Sequence, residues 1–415
     1  MPYARLSSYY FFHFAALGAL MPFWGPYLLE RGFEPVAIGG LMAILMGTKI
    51  LAPNLFGAIA DRRGTRMPIV RLGALIALLS FCAVFWAEGI WLMALTMAVW
   101  SFFWNGPLPL MEAVTFNHLG ARVSRYAQVR VWGSIGFILV VLGVGWWQQQ
   151  AGAGVVPIAV LLLFGGVWLS VLAIPDRPPD RPPDRSPDRS PDRRSAQCLG
   201  GTPDGSPQPG TLAQPSLRRL LQRREISLFL AACLLMQASH GAYYAFYSIH
   251  LEAEGYSEAA VGALWALGVA IEVLVFLRMH WLLERFSAQG LMLVSVALAV
   301  VRWLVIGFLV EVVALQILVQ ILHAATFGVF HASAIHLTHR YFPGPTQGRG
   351  QAAYNSISFG AGGALGSLTS GLLWSEAGAA WTYAVAAGFA ALGFLAVWLG
   401  KRASEPPVPS LEPGG

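Results

Sequence analysis

Apolar residues in this chain run on for about 20 positions at a time, broken by short stretches bearing charge, glycine or proline. Reading hydropathy with that punctuation predicts twelve spans, at approximately 6–29, 36–60, 68–87, 90–118, 127–149, 154–174, 226–251, 258–281, 288–309, 312–339, 349–374 and 378–400. Helices are the element expected in each, because a helix satisfies its backbone hydrogen bonds internally where lipid offers no partner.

Composition agrees. Of 415 residues 56% are hydrophobic and only 12% charged, about half the charge of a typical soluble domain. The net charge of +6 is not a nucleic-acid signal, since nearly all of it is arginine in loops. Arg62, Arg63 and Arg66 follow span 2, Arg122 and Arg125 span 4, Arg285 span 8, Arg340 span 10, and Lys401 and Arg402 span 12; the segment between spans 6 and 7 carries ten Arg. The odd-numbered loops hold only Arg31, among acids such as Glu30, Glu88 and Glu254. The positive-inside rule then puts both termini and the central loop in the cytoplasm. Cys82, Cys198 and Cys233 share no metal-ligand spacing, and neither metal nor cofactor is expected. The first apolar run continues through Pro22, Trp24 and Pro26 without a small-residue cleavage site, so it reads as the first span rather than a leader.

Residues 175–225 are low-complexity. A four-residue Asp-Arg-Pro repeat runs from Asp176 to Arg193, and proline at that density rules out helix or sheet, leaving an expected solvated tether. It divides the chain into a six-helix unit at 1–174 and another at 226–400, with a cytoplasmic tail at 401–415. An internal repeat supports the division. With a shift of 223, Gly18, Ala19, Phe23, Leu28, Gly32, Gly39, Leu41 and Ala43 fall on Gly241, Ala242, Phe246, Leu251, Gly255, Gly262, Leu264 and Ala266. Asp61-Arg62 falls on Glu284-Arg285 at the same offset. The expected fold is all-α: twelve transmembrane helices in two pseudo-symmetric six-helix bundles.

Gly57-Ala58-Ile59-Ala60-Asp61-Arg62-Arg63-Gly64-Thr65-Arg66, after span 2, resembles the signature loop of the major facilitator superfamily. Asp61 at a helix end beside Arg62 and Arg66 would form a charge latch on the cytoplasmic side, with Gly57 and Gly64 giving room and a turn. Within that superfamily the chain resembles the phenylpropionate permease family of proton symporters. The likeness is carried by Met21-Pro22-Phe23-Trp24, Val129-Arg130-Val131-Trp132-Gly133-Ser134, Gln237-Ala238-Ser239-His240-Gly241-Ala242-Tyr243-Tyr244 and Gln320-Ile321-Leu322-His323. It is similar, more distantly, to lactose permease and the nucleoside–proton symporters.

Charges at bilayer depth cost several kcal/mol and must face partners or water. Lys49 in span 2 and Glu272 in span 8 are paired by the 223-residue offset, so they either satisfy each other across a cavity or serve the substrate; Lys49 is the favoured partner for a substrate carboxylate. Glu112 and Arg130, 18 residues apart across a short loop, should reach similar depth, where Arg can fork onto a carboxylate. Asn105, seven residues before Glu112, should share its face. The resemblance to lactose permease implies sugar-contacting counterparts for the Glu112–Arg130 pair and a proton-handling role for Glu272, Arg302 and His323. Burial favours the protonated carboxylic acid and a nearby guanidinium favours its release, which is a basis for coupling. Thr326 departs from the pattern, standing where lactose permease carries a second acid one turn after the histidine.

Phe23, Trp24, Tyr243 and Tyr244 are the aromatic candidates for walls around a flat ligand. Together these features point to proton-coupled import of a small organic solute, an aromatic carboxylate such as 3-phenylpropionate, by a monomer of a bacterial inner membrane. The same chemistry would accept a nucleoside or a sugar, and a transport-inactive sensor is the reading from another class. With neither a Walker loop nor an HExxH pattern, an ATP-driven pump and an intramembrane enzyme have no support in the sequence.

Overall fold

A computed structural model describes residues 2–176 and 217–404. The tether therefore falls mostly, and the tail largely, outside the described residues. The helices are α1 (Tyr3–Glu30), α2 (Pro35–Arg63), α3 (Met67–Phe81), α4 (Gly89–Asn105), α5 (Pro107–Leu119), α6 (Tyr126–Ala151), α7 (Val155–Ala173) and the short α8 (Leu217–Leu221). After them come α9 (Arg224–Ser239), α10 (Gly241–Ala253), α11 (Glu258–Arg285), α12 (Ala288–Phe308), α13 (Val313–His323), α14 (Phe330–Tyr341), α15 (Gln347–Asn355) and α16 (Gly363–Ser404). There is no strand among the described residues.

Nine of these helical runs are long and apolar enough to cross a membrane. One of them, Gln347–Ala403, turns at Gly378 (φ 79°) and accounts for spans 11 and 12. Span 1 is α1, and span 4 is divided between α4 and α5 at Gly106–Pro107, where proline withholds a backbone donor. The helices are consistent with twelve spans. Span 7 is likewise divided, at His240. Two π-helical turns, Ala324–Val329 in span 10 and Ser356–Gly362 in span 11, interrupt the regular i→i−4 ladder. Such turns are uncommon and often mark functional positions.

Within the first half α1 packs on α6 and α7, and α2 on α4; in the second, α16 packs on α9, α10 and α12, and α11 on α13. The halves meet where α2 crosses α16, α6 lies along α11, and α1 touches α10. Small residues set these crossings, as expected where helix association depends on close van der Waals approach rather than on exclusion of water. A Cβ on Gly39 would stand 2.6 Å from the Cα of Gly371, and one on Gly262 would stand 2.6 Å from the carbonyl oxygen of Val141. Both crossings lie toward the odd-numbered loops.

Candidate functional site

The candidate residues sit on α1, α2, α4, α5 and α6 in the first half and on α10, α11, α12 and α13 in the second. On the first-half side, Lys49 is half-buried and its Nζ lies 3.4 Å from the Met46 sulfur. No ion pair joins it to Glu272 or to any other acid among the described residues. A thioether is a weak acceptor, so the ammonium remains chemically available.

The expected fork of Arg130 onto Glu112 does not form. Arg130 lays its guanidinium on the Phe14 ring, 3.6 Å from the centroid, with Tyr10 at 5.8 Å. Glycine at 133 makes this possible: a Cβ there would stand 2.7 Å from Nη1 of Arg130 and 2.8 Å from the Phe14 ring. Among the described residues Glu112 has no ion pair with Arg130.

Asn105 donates to the Leu45 carbonyl at 3.1 Å and to Thr48 Oγ1 at 2.9 Å, pinning α4 to α2 beside Lys49. The interruption at Gly106–Pro107 lies between Asn105 and Glu112, so a seven-residue spacing no longer measures one straight face. Phe23 and Trp24 are fully buried. Trp24 donates to the Met97 sulfur and packs against Tyr27, Phe81 and Trp100, inside the first half. Tyr243 is buried too, its hydroxyl donating to Gln320 at 3.0 Å, whereas Tyr244 keeps some exposed surface. Sequence reasoning missed His13, buried between the rings of Tyr9 and Trp104 at 5.5 and 5.1 Å. No local motif marks it; only the stacking of the Trp104 ring on it would have.

On the second-half side, Glu272 and His323 meet, with Nε2 of His323 3.7 Å from a Glu272 oxygen and the side chains 8% and 15% exposed for histidine and acid respectively. The π turn begins immediately after His323, and its Phe327 ring lies nearly parallel to the imidazole at 5.4 Å. Arg302 is not part of this pair. It is wholly buried, donating to the Val319 carbonyl at 2.9 Å and to Thr326 Oγ1 at 3.4 Å. His240 donates Nδ1–H to the Met236 carbonyl at 2.8 Å, and His331 bonds the Tyr354 hydroxyl at 2.8 Å.

The signature loop lies apart, at the end of α2. Gly64 caps the helix in the left-handed region (φ 67°), its N–H bonded to the Ala60 carbonyl. Gly57 has open space around its Cα, and Asp61 and Arg62 are exposed. Asp61, Arg62 and Arg66 form no ion pair among the described residues, so the latch is not engaged in this conformation. Nor do these residues include a group of three or more side chains suited to a metal ion.

Known proteins match this chain along nearly its whole length. The model of the MFS_1 like family matches residues 3–385. The probable 3-phenylpropionic acid transporter of Escherichia coli (strain K12) is 32% identical over 382 residues, 89% of this chain and 90% of that protein. The maltose permease of Geobacillus stearothermophilus is 24% identical, over 88% and 86% respectively. Among solved structures, a point mutant of the nucleoside transporter NupG superposes with a TM-score of 0.78 at 16% identity, covering 97% of this chain and all of that one. The POT family transporter PepTSo gives 0.70 at 15% identity, over 97% of each chain. By family model, relatives and fold, the chain belongs to the MFS_1 like family and is a polytopic secondary transporter of major facilitator type, not an enzyme.

Proposed function

We propose that this transporter imports a small aromatic carboxylate together with a proton, by alternating access, across a bacterial inner membrane with both termini cytoplasmic. The observation that carries the reading is the Glu272–His323 pair, 3.7 Å apart, in which the histidine is buried and the acid partly so. A carboxylate there can exchange a proton with imidazole or water. Lys49, without an acid partner among the described residues, supplies the charge that a substrate carboxylate would need. The identity to the probable 3-phenylpropionic acid transporter favours an aromatic acid among the possible carboxylates. Residues 1–174 and 226–400 are proposed as the two units that rock about this site, and a single copy as the working form.

Right-side-out vesicles test the reading. Adding 3-phenylpropionate should alkalinise the external medium in step with uptake of labelled acid. Uptake of a nucleoside or a sugar in its place would correct the substrate class. Absence of uptake for all three classes would favour a sensor that keeps the fold.

A further inference from the structure

Arg302 carries a positive charge into the interior of the second half, and no carboxylate lies within ion-pair distance of it among the described residues. Its partners are neutral: the Val319 carbonyl, the Thr326 hydroxyl and the rings of Tyr243 and Trp303, whose centroids stand 4.4 and 4.6 Å from the guanidinium carbon. Aromatic faces attract a cation but cancel no charge, and Nη2 has no partner. Two further buried donors in the same cluster also lack an acceptor. One is Nε2 of Gln320, whose Oε1 is occupied by the Tyr243 hydroxyl; the other is the indole Nε1 of Trp303. All three side chains surround Tyr243, which also stands 5.9 Å, ring to ring, from Trp303. His240 lies against Trp303 with Nε2 unpartnered, but its Nδ1 bond to Met236 leaves that atom an acceptor in the neutral ring, outside the donor set.

A fully buried cation accompanied by orphaned donors has the chemistry of an anion site. We propose that Arg302, Gln320 and Trp303 bind one small monovalent anion, a carboxylate or a halide, with Nη2 of Arg302 as the charged contact. Thr326 is the discriminating position, because a carboxylate there would neutralise the guanidinium from within the chain and a hydroxyl does not. The site is independent of the proton-coupling reading: it uses neither Glu272 nor any direction of transport, so either can fail without the other.

The test is thermal unfolding of the purified full chain in detergent, followed by tryptophan fluorescence, with chloride or 3-phenylpropionate titrated into a sodium HEPES buffer at constant ionic strength. At least one of the two should raise Tm saturably in the wild type. Trp303→Phe, which keeps the ring and loses one donor, should raise the half-saturating concentration roughly threefold to tenfold. Thr326→Glu should raise Tm without added anion and abolish the chloride response, together with any 3-phenylpropionate response that competes with chloride. Competition between the two anions identifies the carboxylate as the natural occupant, and additive effects identify a resident halide. A wild type indifferent to both, or a response unchanged in Trp303→Phe and Thr326→Glu alike, overturns the proposal. These two variants also decide the matter should Arg302→Gln fail to fold.

Discussion

Lys49 enters the membrane interior against the thioether of Met46, and Asn105 stands one helix away with its amide committed to α2. Sequence groups the two side chains as substrate contacts, and their surroundings separate them. Lys49→Gln should weaken binding of an aromatic acid by roughly tenfold or more, the worth of a charge-assisted hydrogen bond, while leaving a neutral amide analogue nearly unaffected. Equal losses by equilibrium binding would reduce Lys49 to packing. Asn105→Ala should instead destabilise the protein by about 0.5–1.5 kcal/mol through two lost hydrogen bonds, Leu45 and Thr48 keeping each other and Ser101 as partners, seen as a lower Tm at unchanged substrate affinity. Much of the site is legible residue by residue, since the identity and depth of Glu272 and His323 follow from hydropathy and from the resemblance. The placement of Arg130 away from Glu112 is not. Spacing fixes depth, but a guanidinium's rotamer is chosen by tertiary neighbours, here the Phe14 face and the room at Gly133.

At the scale of elements, the twelve spans are legible because a run of about 20 apolar residues admits one structure in lipid. Their interruptions are less so. Pro107 announces the division of span 4, yet nothing local announces the π turns, because the extra residue in each is accommodated by packing between spans. The two turns meet through Phe327 and Phe359, 6.2 Å apart, and Ser356 accepts from Asn54 of α2 at 3.1 Å. Deleting Ala325 should convert the first turn to α-helix and rotate His323 against α14 by about 100°. Transport should fall to background in a variant that still inserts and purifies; retained transport would make the turn incidental. At the other crossing, Gly371→Val places branched carbons against the backbone of Gly39 and Pro35. That clash should shift the population toward a state parted at the odd-loop end, read as faster labelling of a cysteine introduced at position 36. Unchanged labelling would show that the close approach does not control opening.

For the whole molecule, the 223-residue repeat makes six plus six readable in the sequence, and the stretch Gly57 to Arg66 points to the superfamily that the family match identifies. Division of labour between the halves is the part no repeat displays. Lys49 and Glu272 occupy equivalent positions in sequence, yet one lies against a thioether and the other against an imidazole. The first half is proposed to offer charge to the substrate and the second to exchange the proton. Glu272 is then the residue that couples the two, and the most direct measurement compares wild type and Glu272→Gln in proteoliposomes loaded with and without labelled acid. Glu272→Gln should lose pH-gradient-driven accumulation while counterflow exchange persists. Full accumulation driven by the pH gradient in that variant would contradict the coupling role of Glu272.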